Sequence, residues 1–259
     1  MSGLDRCVTG LSGGATALRL LACLGLALIP AACASGDSIG PFQVGQVIGG
    51  GTKQMAAVQP VPGFLPNPSL LQPGQQGQPD LVYRSPTANF ASYRSVMLEP
   101  VAIWTSPGSP LSKEPQVQRR ALANTFYSDL YTALSQHCRM ANAPSPGTLR
   151  TRVALVDAKP SNAVEDTVAT YAPYVGAAYG AASLAFNHGV GYFAGTATAE
   201  AYGTDAASGT VLFQAVDRRG GTTAMLENTL DNWLDVHHAF TAWSNEITTK
   251  LQQMGVCRS

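Results

Sequence analysis

Charge is what this sequence has least of. Of its 259 residues only 12 % are Asp, Glu, Lys or Arg, and 16 basic side chains balance 16 acidic ones. A chain with no basic excess cannot hold nucleic acid or anionic lipid by displacing counterions, so nucleic acid is excluded as an expected partner. A bilayer-spanning run is also missing at the N-terminus. The apolar stretch 20–29 (LLACLGLALI) is about half of the roughly 20 residues that a membrane-crossing helix requires. Catalytic signatures are equally scarce. From Leu81 onward there is no Gly-x-Ser-x-Gly turn, and the chain has no His-Glu-x-x-His, no Cys-x-x-Cys and no phosphate-binding loop. No catalytic residue, metal ligand or cofactor can be nominated. A triad assembled from scattered residues stays open, so an unrecognised periplasmic hydrolase remains an alternative.

What is present begins with a leader. Arg6 and Arg19 precede the apolar stretch, and Pro30 ends it. This is the pattern of a signal peptide, spanning residues 1–32. Ala31 and Ala32 stand immediately before Cys33, as at the site where lipoprotein signal peptidase cuts so that the cysteine can be acylated. Cys33 is therefore the expected lipid (palmitate) attachment residue, and the outer membrane, facing the periplasm, the expected location. The competing reading uses Ala32-x-Ala34 as an ordinary cleavage site and gives a soluble secreted or periplasmic protein. Export also bears on the thiols. Cys7 and Cys23 leave with the leader, so Cys138 and Cys257 remain as a candidate disulfide in an oxidising compartment. Closing a loop of about 120 residues would stabilise by on the order of 4–5 kcal/mol in the chain-entropy treatment. Two buried free thiols are the alternative.

Residues 33–80 are rich in Gly, Pro and Gln, with Gly49-Gly50-Gly51 and the stretch 72–79 (QPGQQGQP) as punctuation. They read as a tether that, as a flexible coil, would span roughly 35–40 Å. Phe64-Leu65 and Leu70-Leu71 are apolar enough for its second half to dock on the folded domain.

Residues 81–259 are the expected domain. Ser95 to Trp104 reads as a buried strand with Pro100 near a bulge or edge. Glu114-Pro115 opens a helix whose apolar face (Val117, Ala121, Leu122, Phe126, Leu130, Ala133, Leu134) runs to about His137. Leu149 to Val156 alternates as a second strand, parallel to the first across the helical crossover. Thr196–Thr204 and Thr210–Asp217 form a hairpin around 205–209. One face of its first arm is Ala197, Ala199, Ala201 and Gly203, which would let a helix approach closely. A last helix, about His238 to Met254, carries Phe240, Trp243, Ile247, Leu251 and Met254 on one stripe. The expected fold class is α+β: a single domain with a mixed four-stranded sheet in the order β-α-β-(short helix)-β-β-α, helices mainly on one face.

Four further features are candidate sites. Between Asp166 and Glu200 there is no charged residue. Within that gap, 171–186 holds Gly176 and Gly180 at a spacing that permits close helix contact, so it could serve as a self-associating, membrane-touching segment. Its bland reading is a Gly/Ala-rich loop or short helix. Gly189 to Gly195 resembles a loosened dinucleotide fingerprint, but a strand comes after it where a helix should open. His237-His238 with Asp231 and Asp235 offers metal donors, yet adjacent histidines on a helix point about 100° apart. A solvated helix start with Asp235 as N-cap is the expectation. Arg218-Arg219 reads as a solvated strand end.

The run Pro62-Gly63-Phe64-Leu65, then Leu70 to Gly74, Leu81-Val82-Tyr83 and Tyr93 to Trp104 (YRSVMLEPVAIW) resembles the opening of a family of bacterial lipoproteins catalogued as domain of unknown function 3313. The resemblance continues through Phe126 to Leu130, Glu200 with Asp205 to Gly209, and Ala239-Phe240 with Trp243. It covers about Val61 to Met254. It departs at Asn67-Pro68, where members more often show an acidic-aromatic pair, and in the uncharged insertion. The resemblance implies an exported lipoprotein of unknown activity and brings no catalytic residues with it. The order of elements is also similar to small α+β domains of envelope-assembly lipoproteins and of the Tol system's amino-terminal domain, an analogy of fold only. Together these observations lead to a non-catalytic envelope module, held to the membrane by its lipid, that meets a protein or cell-wall partner through the sheet edge or the hairpin loop. An oligomer is possible.

Overall fold

A computed structural model describes residues 52–55, 58–162, 194–221 and 231–257. Among them the chain forms an α+β fold with one mixed sheet of nine strands, not four. The strands are β1 (Thr52–Gln54), β2 (Gln72–Pro73), β3 (Leu81–Arg84), β4 (Ser95–Leu98), β5 (Ala102–Ile103), β6 (Arg139–Met140), β7 (Thr148–Lys159), β8 (Thr196–Asp205) and β9 (Val211–Gly221). The main order is β2-β3-β9-β8-β7-β4-β6, with β1 added to β9 and β5 to β7. The helices are α1 (Pro110–Lys113), α2 (Gln116–Ser135) and α3 (Leu234–Gln253).

The expected first strand is two. β4 and β5 both pair in parallel with β7, and the chain between them crosses Pro100, which has no N–H to give to a ladder. The parallel crossover through α2 is present. The hairpin β8–β9 is longer than its sequence pattern suggested, pairing from Thr196↔Gly220 to Thr204↔Val211. Arg218 and Arg219 therefore lie inside a strand rather than at a solvated end. The short strands β1 and β2 come from the Gly/Pro/Gln-rich stretch, where composition gave no strand signal.

Each helix buries one stripe. In α2 the buried positions are Leu122, Ala123, Phe126, Leu130 and Leu134, spaced to line one face. Val117, expected on that face, is 77 % exposed. Helix α3 starts one turn earlier than expected. Asp235 is not its N-cap: Trp233 takes that position without a side-chain bond, and Asp231 Oδ1 accepts from Trp233 N at 2.8 Å. Phe126 stacks on Phe240 at 4.5 Å between centroids, which ties α2 to α3. Their shared face covers the side of the sheet that carries Val153, Leu155, Ala197 and Ala199.

The opposite side of the sheet has its own core, in which Ala154, Val156, Tyr202 and Val216 meet Val58, Phe64 and Leu65. The chain from 58 to 71 thus lies as a strap across the sheet face away from the helices. Strand alternation explains why both faces are apolar: neighbouring residues point to opposite sides, and both sides are covered.

Candidate ligand groove

Across four neighbouring strands the residues Val153, Ala201, Ala215 and Val82 stand directly opposite one another. Three strand spacings make this row about 14 Å long. It forms the floor of a trough on the helical side of the sheet, with a cavity of about 500 Å³, within the range of small-molecule sites. Trp243, Ile247 and Leu251 of α3, with Met254 just past its end, form its roof, and Phe126 and Leu130 of α2 close its inner end. The space has a physical origin. At the inner end the stacked Phe126–Phe240 pair and Trp243 hold helix and sheet apart. At the outer end alanines supply the floor and do not fill the gap. The alanine face therefore receives a helix at Ala197 and Ala199, which are buried in the helical core, and leaves a groove where it continues to Ala201. Ile247, Met254, Ala201 and Phe213 stay only partly buried for this reason.

Four charged residues line the groove: Arg84, Asp217, Glu246 and Lys250. The carboxylates are already engaged. Asp217 is buried and accepts four hydrogen bonds, from Gln54 Nε2 at 2.7 Å, Asp80 N at 3.0 Å, Arg219 Nε at 3.0 Å and Trp243 Nε1 at 2.7 Å. Glu246 accepts from Arg219 Nη2 at 2.6 Å. Burial pushes the Glu246 carboxyl above its ordinary range, against the pull of the Arg219 charge and with a further push from Asp217. Arg84 and Lys250 make no direct ion pair among the described residues. The Arg84 guanidinium rests 5.0 Å over the Phe90 ring, and Lys250 acts on Glu246 only through space.

The strap face is a second assembly, held by side chains that bond backbone. Glu200 Oε1 accepts from Val61 N at 2.5 Å. Gln214 makes a two-point clasp on Asn67, accepting from its N at 2.9 Å and donating to its O at 2.8 Å. Asp80 Oδ2 accepts from Val58 N at 3.0 Å, and Trp104 Nε1 donates to Pro62 O at 3.0 Å. Phe64 packs edge-on to Tyr202 at 5.4 Å, while Arg152 bridges Tyr202 at 2.6 Å and Glu99 at 2.7 Å. Gly63 has φ +93° and lies so close to Trp104 that a Cβ would stand 3.2 Å from its ring, so the turn needs glycine. Glu200 is wholly buried and its Oε2 has no hydrogen-bond partner among the described residues. Burial raises its pKa to about 7, opposed by the bond from Val61.

The residues singled out by sequence fall in several places. Cys33, segment 171–186 and Gly189 to Phe193 lie outside the described residues. Cys138 and Cys257 are placed as a disulfide pair with a Cα separation of 5.0 Å, each just past a helix end. Gly195 N donates to Asp235 Oδ2 at 2.7 Å, so Asp235 pins the start of β8. His237 Nδ1 lies 3.3 Å from Asp231, and no group of three metal-ligating side chains occurs among the described residues. No helix among them is long and apolar enough to cross a membrane. The hairpin loop is organised by Asp205, which accepts from Ala207 N at 3.1 Å, Ser208 N at 2.7 Å and Tyr93 Oη at 3.1 Å.

Sequence reasoning did not find Asp217, Glu246 or Gln214, because the partners that give them a role lie far away in the chain. By contrast Pro62 to Leu65, Glu99, Trp104 and Glu200, which carried the family resemblance, meet on the strap face. The fold and these two assemblies define a small α+β domain, and sequence comparison supplies the family. The chain belongs to the family described as Protein of unknown function (DUF3313), whose profile matches residues 62–247. No curated protein matches the sequence. Among solved structures, the chain is similar to the PelC dodecamer from Paraburkholderia phytofirmans. The identity is 12 %, the alignment covers 64 % of this chain and 95 % of that one, and the TM-score is 0.34. It is similar also to a DUF4136 family protein from Bacteroides thetaiotaomicron, at 10 % identity, 68 % and 96 % coverage and a TM-score of 0.32. Both likenesses are too distant to bear on activity or assembly.

Proposed function

We propose that this chain is an exported envelope lipoprotein, tethered through an acylated Cys33, whose folded domain is a non-catalytic binding module with the trough beneath α3 as its binding site. The observation that carries binding is the trough itself: a largely apolar, partly open space of ligand size lined by a few polar groups, the usual build of a recognition site. The leader sequence and the cysteine placement support export. The hairpin loop, expected from sequence beside the sheet edge as a contact surface, is a tight turn braced by its own Asp205.

The test is site-specific photocrosslinking in cells that make the full chain. A photoreactive residue in place of Ile247 should give an adduct, and one in place of the exposed Val117 on α2 should not. Adducts confined to Ala207 in the hairpin loop would move the binding site there and overturn the assignment. Replacing Cys33 by Ser should shift the protein from the membrane to the soluble envelope fraction, and retention in the membrane would contradict the anchor.

A further inference from the structure

The shape and charge of the trough specify a ligand class, an inference that rests on its reading as the binding site. We infer that it takes a single-chain amphiphile, with an aliphatic tail under α3 and an anionic head between Arg84 and Lys250. The floor row from Val153 to Val82 is long, narrow and free of hydrogen-bonding side chains. A sugar or nucleotide would leave its polar groups unpaired there, at a cost that apolar contact does not repay. A flexible aliphatic chain has no polar group to leave unpaired in the same contact, and the thioether of Met254 can adapt to it. The row runs from the buried inner end at Phe126 and Leu130 to β3, beyond which lies only the two-residue β2, so a tail has a direction in which to lie. Polarity at the outer end is one-sided in what it leaves available. Asp217 and Glu246 are bound by Arg219 and Trp243, whereas Arg84 and Lys250 have no direct carboxylate partner among the described residues. An anionic head completes both cations, and a cationic head would meet two like charges.

The test is equilibrium dialysis of the mature chain with radiolabelled dodecanoate at pH 8, below the concentration at which it forms micelles. Saturable binding near one equivalent is expected. Ala215→Trp should abolish it while the thermal midpoint stays close to that of the parent. Lys250→Ala, and Arg84→Ala once a thermal midpoint close to the parent's shows that losing the contact with Phe90 is tolerated, should each weaken it about tenfold, the worth of one charge-assisted contact. Dodecyltrimethylammonium should bind more weakly than dodecanoate. Equal binding of the two heads, unchanged binding in Ala215→Trp, or no saturable binding at all would overturn the inference. If dodecanoate fails to bind while the crosslink from position 247 persists, the amphiphile is wrong and the binding site stands. If the crosslink is also lost, both fall.

Discussion

At the scale of single residues, Glu200 shows how the second core depends on protonation. It sits between β7 and β9, fully enclosed, with one oxygen on Val61 N and the other without a partner among the described residues. Two cations lie equally near on its face by strand register: Arg152, which is taken by Glu99 and Tyr202, and Arg218, and neither pairs with it among the described residues. Burial without a counter-charge favours the neutral acid, so the folded pKa stands at about 7 against 4.5 for the free group. The stability this contributes is complete below about pH 4.5 and is lost as pH rises through 7, up to about 3 kcal/mol for a shift of this size. A thermal midpoint that falls between pH 5 and pH 8 is expected, and Glu200→Gln, which keeps the acceptor for Val61, should flatten that dependence. A Glu200→Gln profile as steep as the parent's would place the titration elsewhere. Asp217 is the opposite case, a buried carboxylate with every donor in place. Asp217→Ala strands the Trp243 indole and the Arg219 guanidinium, so chemical denaturation should report a loss of about 3–5 kcal/mol.

At the scale of elements, the strap is the part whose attachment can be tested alone. Phe64 is one of its buried side chains, with Val58 and Leu65, and is wedged between Trp104 and Tyr202. Phe64→Ala should raise hydrogen exchange and protease cleavage across 58–71 while α2 and α3 stay protected, since the two cores lie on opposite faces of the sheet. Uniform loss of protection would show that the strap and the helical core unfold as one. The strap also marks where the sequence stopped being readable. The period-two hairpin and the period-3.6 stripes of α2 and α3 were legible because alternation and helical spacing are local signals. Strands β1, β2 and β6 were not, being two or three residues long and drawn into the sheet by distant partners such as Gly221 for Thr52. The alanines of β8 were visible, but whether they receive a helix or floor a groove depends on where α3 lies. That position is set by Phe126, Phe240 and Trp243, which belong to separate elements.

At the scale of the whole molecule, the proposal joins a leader, a lipid anchor, a linker and a folded domain with one groove. The pairing of Cys138 with Cys257 ties the end of α2 to the end of α3 across 119 residues of sequence, so oxidising export would fix the roof of the trough against the rest of the fold. Compartment is therefore the premise on which anchor and thiol pairing both depend. The direct measurement is mass spectrometry of the N-terminal peptide of the protein recovered from its native cells. A first residue of Cys33 carrying acyl chains is the predicted result. A first residue of Ser35 would leave export but remove the anchor, and an intact Met1 start would contradict the account.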